Sequence, residues 1–458
     1  MAGFLLIWIG QMFSATATSV TTFALYIWII KQTSGGSAVG VMEFFFFSAT
    51  LLVAPIAGII VDRYNRRATM LVYDVASLAI TVLILLLYFF QALEIWHLYL
   101  ATIVQGVGYA FQWPAYRAVI STMIPKDRYA RANGMMYLLD DVPDVFSPIL
   151  AGFILGPLVG LTGILVINVV AFAFSIGALL VTDIPETPQT VEGERSHGAF
   201  RKELAFGFAY IIKRPSLLGI QLIFLAGNFF SGIALSAAVF YPMVLLRTGN
   251  STETLGLIST VGSLAAVAGG IIITTWGGIR RPIHGVLLGW VVSSMVGLVL
   301  LGLGKGMMVW LVAVKVESLC DPLTKVSDDT ILQRKVSPDL QGRVFGAQSL
   351  ITQIMIPFTP LIGGYLGDKI FEPVMQTPNA VSNFFAPLVG MGPGAGMGLL
   401  IFLCGIGATL VGLSGYLLRP VRRLDDYLPD HDAPSSMRGT DSPEAFGTPL
   451  KLNTAQDE

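Results

Sequence analysis

Apolar blocks of about twenty residues recur along nearly the whole chain, from Phe4-Leu-Leu-Ile-Trp-Ile9 to Leu399-Leu-Ile-Phe-Leu403, separated by short charged or Gly/Pro-rich punctuation. A helix of that length crosses the ~30 Å hydrocarbon core of a bilayer and satisfies its own backbone hydrogen bonds where no water can. The repetition predicts an all-α polytopic membrane protein. Boundaries fall near 4–30, 38–61, 68–91, 96–121, 134–156, 160–181, 216–246, 254–276, 283–303, 307–331, 345–368 and 395–418, which makes twelve transmembrane helices.

Composition agrees with this solvent. The chain is 54% hydrophobic and 12% charged, where a soluble domain carries about 25% charged residues. A net charge of −1 leaves no basic stripe for nucleic acid. Leu5 to Gly10 followed by Ala15-Thr-Ala17 imitates a signal peptide, but no basic segment precedes it and apolar character resumes through Ile30, so no cleavage is expected. Cys320 and Cys404 both fall inside spans and read as packing residues.

Lys and Arg are distributed unevenly between the two sets of loops. Nineteen lie on the side of the N-terminus, against Lys31, Arg247, Lys305 and Lys369 on the other, which predicts both termini in the cytoplasm. The longest internal polar stretch, Asp183 to Arg214, divides the spans six and six. The expected organisation is a six-helix bundle over 1–182, a linker with an interfacial helix over 183–215, a second six-helix bundle over 216–420 and a disordered tail over 421–458. An internal repeat supports the division: a shift of 212 residues superimposes Asp127 on Asp339, Arg131 on Arg343, Gly134 on Gly346, Pro148 on Pro360 and Gly152 on Gly364. A parallel repeat of this kind belongs to transporters whose halves rock about a central site.

Between spans 2 and 3 stands Gly58-Ile-Ile-Val-Asp62-Arg63-Tyr-Asn65-Arg66-Arg67, which resembles motif A of the major facilitator superfamily, with Asn65 where the family usually has Gly. Asn tolerates the left-handed conformation of a tight turn. The second half keeps only the basic pair, in Trp276-Gly-Gly-Ile-Arg280-Arg281. Glu203 to Pro215, Val336-Ser-Pro-Asp-Leu-Gln-Gly342-Arg343-Val344-Phe345, Phe371-Glu-Pro-Val-Met375 and Gly392-Pro-Gly-Ala-Gly396 resemble the macrolide-efflux and enterobactin-exporter branch. The likeness covers about residues 4–420. It implies the major facilitator fold and a conformational latch made by Gly58, Asp62, Arg63, Asn65, Arg66 and Arg67. In the family that Asp lies near the N-terminal end of the eleventh span, where a negative charge is favoured. The alternative for Arg63 and Arg67 is that they only enforce topology.

Two polar stripes mark candidate cavity walls. Gln11, Ser14, Thr18 and Thr21 recur at three and four residues on one face of span 1, and Gln105, Tyr109, Gln112 and Tyr116 do so in span 4. Aromatic faces with a few amides suit a bulky amphipathic ligand, although interhelical packing also uses such residues. Ionisable residues within spans are a sharper signal, since each costs about 2.5–3.5 kcal/mol at the helix centre on insertion scales. Span 5 carries Asp140, Asp141 and Asp144 before Ser147-Pro148-Ile-Leu-Ala151-Gly152, which resembles a degraded antiporter motif C. Span 10 carries Lys315, Glu317, Asp321, Lys325, Asp328 and Asp329, of which Glu317, Asp321 and Lys325 can form a charge ladder. Burial without a compensating cation disfavours a charged carboxylate, the property a proton carrier needs. Asp144 and Glu317, with Asp140 and Asp321, are the proton-coupling candidates. Pairing with Lys315 or Lys325 merely to neutralise buried charge is the alternative.

No phosphate-binding loop of the Gly-x-x-x-x-Gly-Lys-Ser/Thr type occurs, and the four histidines, His97, His197, His284 and His431, form no metal-ligand pattern. No cofactor and no enzymatic activity are expected. The reading that follows is a multi-pass protein of the plasma (bacterial inner) membrane, working as a monomer, that exports a lipophilic or amphipathic small molecule in exchange for protons by alternating access. A facilitator or importer on the same fold, and a nontransporting membrane sensor, are the other readings.

Overall fold

The computed structural model describes residues 2–63, 66–124, 135, 139, 142–143, 145–151, 160–183, 200–276, 279–336 and 338–428, and no strand occurs among the described residues. Spans 1 to 4 are Ala2–Thr33, Ser37–Arg63, Arg66–Phe89 and Ile95–Met123, and span 6 is Gly160–Val181. Helix over 145–151 marks span 5, most of which lies outside the described residues, as does the tail beyond 428. A helix, Phe200–Ile212, precedes span 7, and Arg214 closes it by donating to the Tyr210 carbonyl (3.1 Å) while its guanidinium lies 3.5 Å above the Tyr210 ring.

In the second half, spans 8, 10 and 12 are continuous helices, Thr252–Trp276, Met307–Lys335 and Ala395–Leu417. The other three are interrupted. Span 7 breaks at Ser236 (ψ 145°) into Pro215–Leu235 and Ala237–Arg247. Span 9 passes through a π-helical stretch, Ser293–Leu298, and span 11 runs from Pro338–Gln353 through Phe358–Leu366 into a second one, Gly367–Phe371. Among the described residues nine helices are long and apolar enough to cross a membrane. Ile95–Met123 and Met307–Lys335, which also have spanning length, are less apolar because they carry the polar side chains singled out above.

Spans 1, 2, 3, 4 and 6 pack on one another, as do spans 7 to 12, and span 2 lies along span 11 across the junction. Without a hydrophobic drive between helices in lipid, close approach through small residues provides the contact. Gly40 of span 2 sits on the Pro360 carbonyl of span 11, and Gly256 of span 8 sits on the Pro148 carbonyl of span 5; a Cβ at either glycine would collide with backbone. Pro148 and Pro360 are a pair superimposed by the internal repeat, so the repeat reappears as two equivalent helix crossings.

One face of the molecule, marked by Lys31, is tied across the halves. The first N–H groups of span 2 have no intrahelical partner, and Asp368 of span 11 accepts from Gly36 N (3.0 Å), Ser37 N (2.6 Å) and Ser37 Oγ (2.5 Å). Nearby, Glu372 accepts from Gly394 N (2.5 Å) and Met397 N (3.3 Å) at the start of span 12, while Arg247 donates to the carbonyls of Gly394, Gly304 and Val389. The glycine-rich segment from Gly392 to Gly398 is thus a helix start: Gly394 adopts φ 80°, and Gly396 lies against the backbone of Phe371 and Glu372.

Candidate functional site

Between the halves lies a cavity of about 720 Å3. Six residues of the two polar stripes line it: Ser14 and Thr18 from span 1, and Gln105, Tyr109, Gln112 and Tyr116 from span 4. Helical spacing brings each set to one face, and aromatic side chains fill the space between them. Tyr26, Phe46, Tyr73 and Phe172 add wall, with the Phe46 and Tyr109 ring centroids 5.7 Å apart. The second half contributes Gln353, Ile356 and Pro357, at the interruption of span 11.

Gln11 and Thr21, from the same stripe of span 1, stand behind this wall. Thr21 is buried and donates to the Ala17 carbonyl (2.8 Å). Gln11 is 1% exposed; its Nε2 donates to Asp74 Oδ2 (2.7 Å) and to Ser175 Oγ (2.9 Å), and its Oε1 accepts from the Tyr116 hydroxyl and from Gln112 Nε2 (3.3 Å). Ser175 also donates to Asp74 (2.8 Å). A fully buried carboxylate therefore reaches the cavity wall through one amide. In the second half Asp328 of span 10, 2% exposed, accepts from Gln348 Nε2 (2.6 Å) of span 11 and from Gln221 Nε2 (3.3 Å) of span 7.

A second cavity, of about 330 Å3, abuts the first at Phe47 and Ile356. Glu317 and Asp321 of span 10 line it together with Glu43 of span 2. The charge ladder of span 10 forms only in part: Lys325 Nζ pairs with Asp321 (2.8 Å), whereas Glu317 accepts from Ser318 Oγ (3.1 Å) and Lys315 is exposed. Glu43 is 9% exposed and faces the backbone N–H groups of Ala237 and Ala238, which the break at Ser236 leaves without intrahelical acceptors.

Glu43 and Asp74 belong to neither polar stripe and to neither of the acid-bearing spans 5 and 10. Each is an acid in the middle of an apolar block, Val41-Met42-Glu43-Phe44 and Val72-Tyr73-Asp74-Val75, and the cost of an intramembrane charge could have singled out both. Asp140, Asp141 and Asp144 lie outside the described residues. So does Asn65, together with the side chains of Asp62, Arg63 and Arg66; Gly58 to Arg63 form the end of span 2. Arg67 donates to the Leu180 carbonyl (2.5 Å) and lies 3.5 Å from Asp183, joining spans 3 and 6. Among the described residues no three His, Cys, Asp or Glu side chains are grouped to hold a metal ion.

The comparisons with known proteins agree with this architecture. Macrolide efflux protein A of Streptococcus pyogenes is 20% identical over 370 residues, covering 80% of this chain and 90% of that protein. Multidrug resistance protein 1 of Bacillus subtilis is 26% identical over 345 residues, covering 73% and 81%. Among solved structures, a bacterial homolog of the human lysosomal transporter Spinster, in an inward-facing and unoccupied conformation, superimposes with a TM-score of 0.67 at 15% identity, covering 90% of this chain and 95% of that one. The nucleoside transporter NupG superimposes with a TM-score of 0.66 at 13% identity, covering 90% and 98%. The model of the Major Facilitator Superfamily matches residues 7–360, and with twelve spans arranged about a central cavity the chain belongs to that superfamily as a multi-pass membrane transporter resembling its macrolide-efflux members.

Proposed function

We propose that this transporter is a secondary active exporter of a lipophilic or amphipathic small molecule, driven by proton antiport through alternating access. The observation that carries the reading is the cavity of about 720 Å3 at the junction of the halves, whose wall combines tyrosines with the amides of Gln105, Gln112 and Gln353. Such a wall offers large contact area with few polar demands. The names of the macrolide-efflux and multidrug-resistance relatives support the same direction. In this reading both termini and the Arg67 face are cytoplasmic, the membrane is the bacterial inner membrane, and the Asp368 tie closes the outer face, so the cavity takes substrate from the inside.

Glu317 and Asp144 are the proposed proton carriers, and Asp62, Arg63, Arg66 and Arg67 the proposed cytoplasmic latch. One charge falling through about 100 mV supplies about 2.3 kcal/mol, enough for roughly a fifty-fold gradient. The test is transport in inverted vesicles with an imposed proton gradient, across a panel of macrolides, dyes and siderophores. Uphill accumulation that collapses with the gradient is expected. Glu317→Gln and Asp144→Asn should retain counterflow, since exchange needs no net proton release, while losing gradient-driven accumulation. Retention of full accumulation by both variants and by the double variant overturns the proton assignment. Equilibration without accumulation by the wild type would make the protein a facilitator.

A further inference from the structure

We infer that the short helix Ala380–Val389, in the connection between spans 11 and 12, lies in the surface of the bilayer on the Lys31 face, with Val381, Phe384 and Leu388 inserted among the lipids.

The sequence of this connection suits lipid better than water. No residue from Pro373 to Leu418 is charged, so the segment lacks the side chains that keep an exposed loop in water. The other described connections on this face contain or border on Lys31, Glu94, Arg247, Glu253 or Lys305.

The helix divides into three arcs. Ser382 and Val389 are buried, and Phe385 packs with Met375, Leu399 and Leu303, which seats one arc on the ends of spans 9, 11 and 12. Spacing of three and four residues brings Val381, Phe384 and Leu388 together on a second arc, and all three are exposed, Phe384 by 72%. Asn383 lies on a third arc, also exposed, about 120° around the helix from the middle of the apolar one. A body-facing, a lipid-facing and a water-facing arc are what a helix in the plane of the interface requires.

A ten-residue helix has little stability of its own in water, and here both ends are held. Asn379 Oδ1 accepts from Ser382 N (2.8 Å), Ser382 Oγ accepts from Asn379 N (2.8 Å), and Arg247 donates to the Val389 carbonyl (2.9 Å). The apolar arc is therefore presented by a fixed element. It also continues the surface that the spans turn to lipid: Phe371 and Phe402 pack in the same cluster as Phe385, and their neighbours Ile370 and Leu403 are exposed. Three side chains offer far less than the ~800 Å2 per partner of a stable protein interface, whereas a bilayer needs no matching shape. Insertion of this kind reaches about 5–10 Å into the boundary between headgroups and acyl chains.

The inference goes beyond the exporter reading and holds for any substrate or direction of transport. Its experiment is spin-label accessibility of the full-length protein in phosphatidylcholine nanodiscs, with Phe384→Cys, Leu388→Cys and Asn383→Cys made singly in a Cys320→Ala background. Cys404 is buried and stays, and the protein without an added cysteine gives the background signal. Labels at Leu410→Cys, exposed in span 12, and at Gln32→Cys, exposed at the end of span 1, are the lipid and water references. Oxygen concentrates in lipid and a nickel chelate in water, so the ratio of oxygen to nickel collisions at 384 and 388 is expected to exceed that at 32 severalfold and to approach that at 410, with 383 near the water reference. All three labelled positions are exposed, so none of these variants removes a packing contact of the core. A ratio at 384 and 388 equal to that at 32 overturns the inference. Protection from both reagents overturns it too: with spin–spin broadening a second copy covers the arc, and without broadening the chain itself does.

Discussion

The buried hydrogen bonds behind the cavity set two neighbouring side chains to different tasks. Gln112 touches the cavity, whereas Gln11 is 1% exposed and is occupied by Asp74, Ser175 and Tyr116. Asp74→Ala removes the acceptor of both Gln11 Nε2 and Ser175 Oγ in a fully buried site, and leaving such donors unmet costs about 1–3 kcal/mol each. A lowered melting temperature with retained insertion is expected, read by thermal unfolding in detergent; an unchanged melting temperature would show that the network adds nothing. Gln112→Ala should do the reverse, shifting relative efflux among a panel of substrates with little change in melting temperature. An unaltered profile with intact transport would move Gln112 to the packing residues. The even spacing of Gln11, Ser14, Thr18 and Thr21 told that they share a face, and only the neighbours of that face decide which members reach the cavity.

At the scale of elements, the helix crossings explain where small residues are required. A Cβ on Gly40 or Gly256 would meet a carbonyl of the opposing helix, Pro360 in one case and Pro148 in the other. Overpacking of this kind costs about 1–3 kcal/mol, so Gly40→Ala and Gly256→Ala should each lower thermal stability and slow transport. Gly270, also within a helix, has nothing within 4 Å of an added Cβ. Gly270→Ala should be neutral or stabilising by up to about 1 kcal/mol, because alanine is the better helix former. Equal melting temperatures for all three variants would contradict the close crossings. The breaks in spans 7, 9 and 11 belong to this scale too. Hydropathy ran through Ser236 without a signal, since a one-residue departure from helix leaves the apolar block intact.

For the molecule as a whole, the tie on the Lys31 face is the contact most open to test. Asp368 and the first residues of span 2 lie on different halves, more than 300 residues apart in sequence, and Asp368 accepts three hydrogen bonds there. Hydrogen bonds to a charged group contribute about 1.5–3 kcal/mol, and 1.4 kcal/mol is tenfold in a two-state population. Asp368→Ala should therefore move the conformational equilibrium about tenfold or more toward a form open on that face. Spin labels at the exposed positions 32 and 376 would report it as a longer distance between the halves. An unchanged distance distribution would show that the tie does not hold the face closed.

The sequence by itself determined the solvent, the number of spans and the superfamily. Each apolar block meets lipid on its own, so its length and composition suffice to make it a span, and motif A is local in sequence. Which polar groups meet one another was decided only by the tertiary structure. Glu43 faces the broken start of Ala237–Arg247, Asp74 reaches Tyr116 through Gln11, and Asp368 ends on Ser37 because two helices from opposite halves cross there. Periodicity assigns a residue to a face of its own helix, but the partner of that face depends on how twelve helices pack, and a charge in lipid takes its role from that partner.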